Sequence, residues 1–350
     1  MNRLILVLRD FYPARLDREA FAALPRLTAL ERWLAYADIV PAHGGWRDWL
    51  WREFALKSPL APDTNGVAGV APASVAAAAV PNLPAGKPLW LATPVHFLAG
   101  LDTVRLHPAG LLELDRETQD QLAADFARVF TGSGFALHAT GRREMLLAGG
   151  VPAAPGGARN GDPARWLGAD PRAGFPAGAE GAQLRRLGAE IEMWLHEHPV
   201  NRARAARGEL VANALWLWGG GAPAVMCALR AAPAAAAWAE DAYLDGLARV
   251  RGVDVQTPPA CWPPSTSAAP GRPSEWLVVF GADVASRADS LQLMVSGWIA
   301  PTLLHWQQGR IDTATLLAGE RAITLPQLKR WQRGWRRLRR PRPWWEILLR

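Results

Sequence analysis

Glu192 and His196 stand one helical turn apart in the run EIEMWLHEHPVN, and Glu197 and His198 follow at once. A carboxylate and an imidazole at that spacing share a helix face, the arrangement by which a helix offers ligands to a metal. A solvated helix face with His198 at a helix end has the same pattern. Further on, the apolar run Val211 to Trp218 ends in Gly219, Gly220 and Gly221. Strands covered on both faces read this way, and in open α/β sheets ligands bind beyond the carboxyl ends of such strands, where glycine lets backbone N–H groups approach an anion. GGGAP has neither dinucleotide-type glycine spacing nor a Gly-Lys-Ser/Thr, so a plain tight turn is the alternative. Ser74, in PASVAA, opens a short Ala-rich helix whose N-terminus suits an anion; an N-cap serine with a purely structural duty looks the same.

Those side chains need a scaffold. Leu184, Leu187, Ile191, Trp194 and Leu195 fall near helical spacing, and Pro199 predicts a stop at His198. Asn201 is then a candidate N-cap for the short helix RARAAR, with Gly208 a left-handed residue after its end. Leu4 to Leu8 reads as a buried strand and Phe21 to Ala35 as a helix. Leu89 to Phe97 and Thr103 to Leu106 read as strands, Glu117 to Phe130 as an amphipathic helix, and Gly134 to His138 with Glu144 to Ala148 as a hairpin-type pair. Ala235 to Arg249 suggests a helix, Trp276 to Phe280 a strand, and Leu291 to Leu304 a helix interrupted near Pro301. This alternation predicts an α/β protein with a central sheet flanked by helices.

Composition narrows the class. Half of the 350 residues are hydrophobic and 20% are charged, ample for a globular core. No apolar run approaches a membrane span, and LILVL is too short for a signal peptide, so a cytoplasmic location is expected. Cys227 and Cys261 have no Cys-x-x-Cys spacing, which indicates neither a disulfide framework nor a structural zinc site. The net charge of +7 is local: residues 329–350 hold nine basic residues against one acidic, and the rest of the chain thirty against thirty-one. Within that tail Leu328, Trp331, Trp335 and Leu338 form an apolar stripe among arginines. It could meet nucleic acid, an anionic surface or an acidic partner, or dock on the protein's own core.

The order HPVN (198–201), Arg204, Gly208, ANALWLWGGG (212–221) and Pro223 resembles a segment of the archaeal-type cofactor-independent phosphoglycerate mutases. With EIEMWLHEHPVN and ATPVHFLAGLDTVRL (92–106), the chain is similar to the RpfE-type regulatory proteins within that broader group. The resemblance implies an alkaline-phosphatase-like fold with a mostly parallel central sheet. Residues 1–88 and 190–325 would form that core, 89–189 a smaller inserted α+β region, and 326–350 a basic Trp/Arg-rich helix and tail. It implies Asp10, at the end of the first strand, as a metal ligand beside Glu192 and His196, and Ser74 as the phosphoryl-accepting nucleophile. His198, Asn201, Arg204, Asn213 and the three glycines would line a pocket for a small phosphorylated ligand. The chain also departs from the mutase pattern. Asp170 and Pro171 are followed by Arg172 where the mutases have histidine, His305 is the single histidine after His198, and no Asp-His pair follows. A dinuclear site needs more imidazoles and carboxylates than this. The expected function is therefore a mutase-like protein without its dinuclear metal site, acting in regulation or phospho-ligand binding and needing no cofactor. The alternatives are an active mutase with a rearranged manganese or magnesium site, and nucleic-acid or anionic-surface binding by the tail.

Overall fold

The computed structural model describes residues 2–12, 26–55, 70–100, 102–150, 161–175, 178–221, 235–259, 261–262, 275–281, 288–327 and 339–348. The chain opens with β1 (Arg3–Leu8), α1 (Thr28–Tyr36), β2 (Asp38–Pro41) and α2 (Gly45–Ala55). It continues through α3 (Pro72–Ala76), β3 (Leu89–Ala99), β4 (Val104–Leu111), α4 (Arg116–Val129), β5 (Phe135–His138), β6 (Met145–Gly149), α5 (Gly178–His196), α6 (Pro199–Ala206) and β7 (Ala214–Gly221). Then come β8 (Ala235–Trp238), α7 (Ala242–Arg251), β9 (Val255–Gln256), β10 (Glu275–Phe280), α8 (Ala288–Met294), α9 (Ala300–Gln307), β11 (Thr313–Ala318), β12 (Arg321–Leu325) and α10 (Trp344–Leu348). Two compact units result: Met1–Ser58 with Arg230–Glu240 and Arg251–Arg350, and Pro59–Leu229 with Asp241–Val250.

The first unit is built on a sheet of order β2-β12-β11-β1-β10-β8-β9. Its middle is parallel, β1 pairing with both β10 and β11 and β8 with β10 and β9, while β12 and β2 close one edge antiparallel. Leu4 to Leu8 are all buried, because a central parallel strand is covered on both faces and so reads as an unbroken apolar run. The α8–α9 helix contains a π turn at Val295–Ile299 just ahead of Pro301. Pro301 has no N–H to return to the Gly297 carbonyl, and that carbonyl instead accepts from the Trp262 N–H at 2.9 Å. Of the basic tail, residues 328–338 lie outside the described residues. Beyond them Trp344 and Leu348 of α10 are buried in the first unit's core beside Leu30 and Leu34 of α1.

The second unit holds an antiparallel sheet. β3 pairs along one edge with β6 and then β4, and along the other with β7, while β5 extends the sheet beyond β6. Alternate β3 residues serve two cores. Trp90 and Ala92 pack with Leu122 and Phe126 of α4, Ile191 and Leu195 of α5, and Val200 of α6. Leu89 and Leu91 pack on the opposite face with Ala73 and Ala76 of α3 and Ala242 of α7.

Two expectations are corrected. Val211 to Trp218 does form a strand buried on both faces, but in an antiparallel sheet of the second unit rather than in a parallel core. Residues 190–229 sit with 89–189 in one of the two units. The Ala-rich stretch at 235 is not helical throughout: Ala235–Trp238 is a parallel strand beside β10. Ala237 is buried there despite the helix propensity of alanine, and tertiary packing overrides the local preference.

Candidate functional site

The HPVN segment forms an elbow between α5 and α6. His198 is the N-cap of α6, its Nδ1 accepting from the Val200 N–H at 3.2 Å, and its Nε2 lies 3.1 Å from Asp125 Oδ2. Because Nδ1 accepts, the ring is neutral with its proton on Nε2, which donates to Asp125. Asn201 is buried; its Nδ2 donates to the carbonyls of Leu195 (2.7 Å) and Ala212 (2.8 Å), and its Oδ1 accepts from the Ala212 N–H (2.9 Å). Arg204 Nε donates to the Leu210 carbonyl at 2.8 Å and Nη1 meets Glu209, closing the turn in which Gly208 has φ +72°. Asn213 adds one rung to the β3–β7 ladder: its amide oxygen accepts from the Phe97 N–H at 2.8 Å and its amide nitrogen donates to the Phe97 carbonyl at 2.9 Å. The polar groups expected to face a phosphorylated ligand are thus bonded within the protein, chiefly to its backbone.

Burial drives the His198 pKa down; the Asp125 hydrogen bond opposes that shift, while Arg128 and Arg202 add to it. Above about pH 6.5, the ordinary histidine value, folded and unfolded chains are both neutral at this site and the cap is intact. As the pH falls below that value the unfolded chain takes up the proton first, so stability declines until the depressed folded pKa is reached. The partly buried His138 and His305, also lowered, contribute with the same sign. We expect His198→Asn, which keeps a good N-cap residue without a titrating ring, to flatten the loss of stability between about pH 7 and pH 5. Urea unfolding across that range checks this; an unchanged slope would contradict the neutral-cap assignment.

The three glycines are the buried end of β7, not a loop open to ligand. A Cβ on Gly220 would fall 1.9 Å from the Trp90 ring, one on Gly221 2.7 Å from Ala71 Cβ, and one on Gly219 3.2 Å from Pro72. They are small because a tryptophan lies against one face and the start of α3 against the other. Ser74 is buried in α3, on the same face as Ala71 and Pro72. The start of Ser74's helix packs at the Gly219–Gly221 end of β7, whereas Glu192 and His196 lie with Phe97 and Asn213 at the other end of the β3–β7 pair.

Glu192 and His196 instead line an open groove of about 990 Å³ between α5 and the β3–β4 hairpin. Phe97, Phe175, Val104 and Met193 give it an apolar lining, and Asp102, Glu192 and Glu197 add carboxylates. Phe97 and Phe175 meet edge to face at 6.2 Å, backed by Trp216. Arg172, also at the groove, is tied to Asp170 through both Nε and Nη2, which holds the Asp170 carboxyl below its ordinary range. Partial burial pushes the Glu192 carboxyl above its ordinary range.

No family model matches the chain, and none of the curated proteins does. Two solved structures are similar over most of its length. One is the PH0037 protein from Pyrococcus horikoshii, 14% identical, with 92% of this chain and 86% of that chain covered and a TM-score of 0.44. The other is the cofactor-independent phosphoglycerate mutase from Thermoplasma acidophilum DSM 1728, 14% identical, with 93% and 89% covered and a TM-score of 0.35.

Asp10 belongs to the first unit, at the end of β1, where it is buried in a left-handed conformation at φ +65° with Arg9 Nε 3.8 Å from its carboxylate. Asp is one of the few residues other than glycine that enter this conformation readily. Among the described residues no three His, Cys, Asp or Glu side chains group closely enough to hold a metal ion. The expected ligands are divided between the units, Asp10 in the first and Glu192 and His196 in the second. The described residues also include no helix long and apolar enough to cross a membrane. Sequence reading missed the groove, because Phe175 and the β3–β4 hairpin converge on α5 from distant parts of the chain. It also missed the buried Arg143–Glu144 pair (2.9 Å) and Gln119, whose amide donates to the Leu114 and Arg142 carbonyls at 2.9 and 2.6 Å.

Proposed function

We propose that this chain is a phosphoglycerate-mutase-like protein that acts in regulation by binding a ligand rather than by turning over phosphoglycerate. The mutase-like part rests on the order and spacing of the HPVN, Arg204, Gly208 and ANALWLWGGG motif. The observation that supports the non-catalytic part is that Ser74's helix packs at the Gly219–Gly221 end of β7, while Glu192 and His196 line the groove beside Asn213, beyond its other end. A nucleophile and its activating group must lie within hydrogen-bonding reach to cooperate. The motif also supports this reading, since Asn201, Arg204 and Asn213 hold the α5–α6–β7 elbow together. A phosphorylated ligand at those residues would have to displace the backbone groups they bind, at the cost of leaving buried partners unsatisfied. The groove beside α5 is the better-supported place for a ligand.

Purified protein incubated with 3-phosphoglycerate and added manganese is expected to give no 2-phosphoglycerate above the protein-free control. Turnover that is lost in Ser74→Ala while the fold is retained would overturn the proposal.

A further inference from the structure

The groove between α5 and the β3–β4 hairpin is mainly apolar, with Phe97, Phe175 and Met193 exposing carbon to it and acidic side chains on both walls. Asp102 lies on the hairpin side; Glu192 and Glu197 lie on α5. Met193 is 68% exposed, unusual for a large apolar side chain on a helix that buries its other face. None of the three carboxylates has an ion-pair or hydrogen-bond partner among the described residues. The one arginine of the groove, Arg172, is committed to Asp170. The groove therefore carries uncompensated negative charge over an aromatic floor, the complement of a cation with a hydrocarbon body.

The acidic groups do not converge as a metal site requires, so a single divalent ion is not the occupant they suit. Charges on two walls of one groove match separate positive charges joined by methylenes. Its volume of about 990 Å³ is at the upper end of small-molecule sites. We propose that this groove binds a free linear polyamine, its ammonium groups paired with Asp102 on one wall and with Glu192 and Glu197 on the other, its methylenes laid over Phe97, Phe175 and Met193. The proposal rests on the binding reading in taking the groove as the place where the protein acts, and the two fail separately: turnover tests the first, polyamine affinity the second.

The test is calorimetric titration of the full chain with spermidine at low ionic strength. Saturable one-to-one binding is expected, weakened about fivefold in Glu192→Gln/Glu197→Gln, since two exposed ion pairs contribute about 1 kcal/mol together, and about twofold in Asp102→Asn, which removes one. Glu190→Gln removes a carboxylate from the same helix that lies outside the groove and pairs with Arg186. It is expected to leave affinity unchanged, and butylamine, with one charge, is expected to bind at least tenfold more weakly than spermidine. The proposal is overturned by absence of saturable binding, by an equal loss in Glu190→Gln, which would mark diffuse surface charge, or by a lysine-rich peptide that outcompetes spermidine with the same carboxylate dependence.

Discussion

Asn201→Ala is expected to cost about 2–4 kcal/mol of stability, because each buried polar group left without a partner costs about 1–3 kcal/mol and two are stranded at once. The Ala212 carbonyl loses its donor and the Ala212 N–H its acceptor in a buried setting, while the Leu195 carbonyl keeps only the His198 N–H at 3.2 Å. These bonds join the end of α5 to the segment entering β7, so their loss loosens α6 from the sheet. Arg202→Ala, one residue along on the exposed side of α6, is the control and should stay within about 0.5 kcal/mol. The readout is the urea midpoint followed by tryptophan fluorescence, to which Trp194, Trp216 and Trp218 around the elbow respond. If Asn201→Ala were as mild as the control, the asparagine would not be a structural rivet, and its place in the motif would have to be explained by a ligand instead.

How far the sequence could be read follows from this distinction. The elbow was legible: the helical spacing up to Leu195, the stop before Pro199 and the left-handed Gly208 all reflect local backbone preferences that the fold keeps. One cap was misplaced by three residues, since His198 rather than Asn201 caps α6. A histidine acceptor at that position depends on a tautomer set by Asp125, seventy-three residues away. The strand before the three glycines was legible, and its neighbours were not. An unbroken apolar run says that both faces are covered; it does not say whether the partner strand runs parallel, as between β1 and β10, or antiparallel, as between β3 and β7. Where the candidate site residues sit was hidden for a related reason. Glu192 and His196 do share a helix face, but that face looks onto a hairpin and Phe175, while Ser74's helix packs at the Gly219–Gly221 end of β7, away from Asn213 and the groove. Sequence spacing fixes which side chains share an element and leaves open which elements meet.

The same question, ligand loop or packing device, is decided most sharply at the middle glycine. In Gly220→Ala the added methyl carbon would lie 1.9 Å from Trp90 Cε3 and 2.3 Å from Cδ2 and Cζ3. Trp90 is 1% exposed and wedged among Ala92, Phe126 and Leu217, so the ring has no free volume to retreat into. Overpacking of this kind costs about 1–3 kcal/mol where neighbours can shift, and here the clash is with a rigid ring; a loss above about 3 kcal/mol or an insoluble product is expected. The φ of Gly220 is not in the left-handed region, so the penalty is steric and should be relieved by a smaller partner. Gly220→Ala combined with Trp90→Leu is accordingly expected to be more stable than the sum of the single changes, a favourable coupling that a double-mutant cycle in urea measures. An anion-binding loop behaves otherwise: alanine there would remove affinity for phosphate while leaving the unfolding midpoint in place, and Trp90 would show no coupling to it.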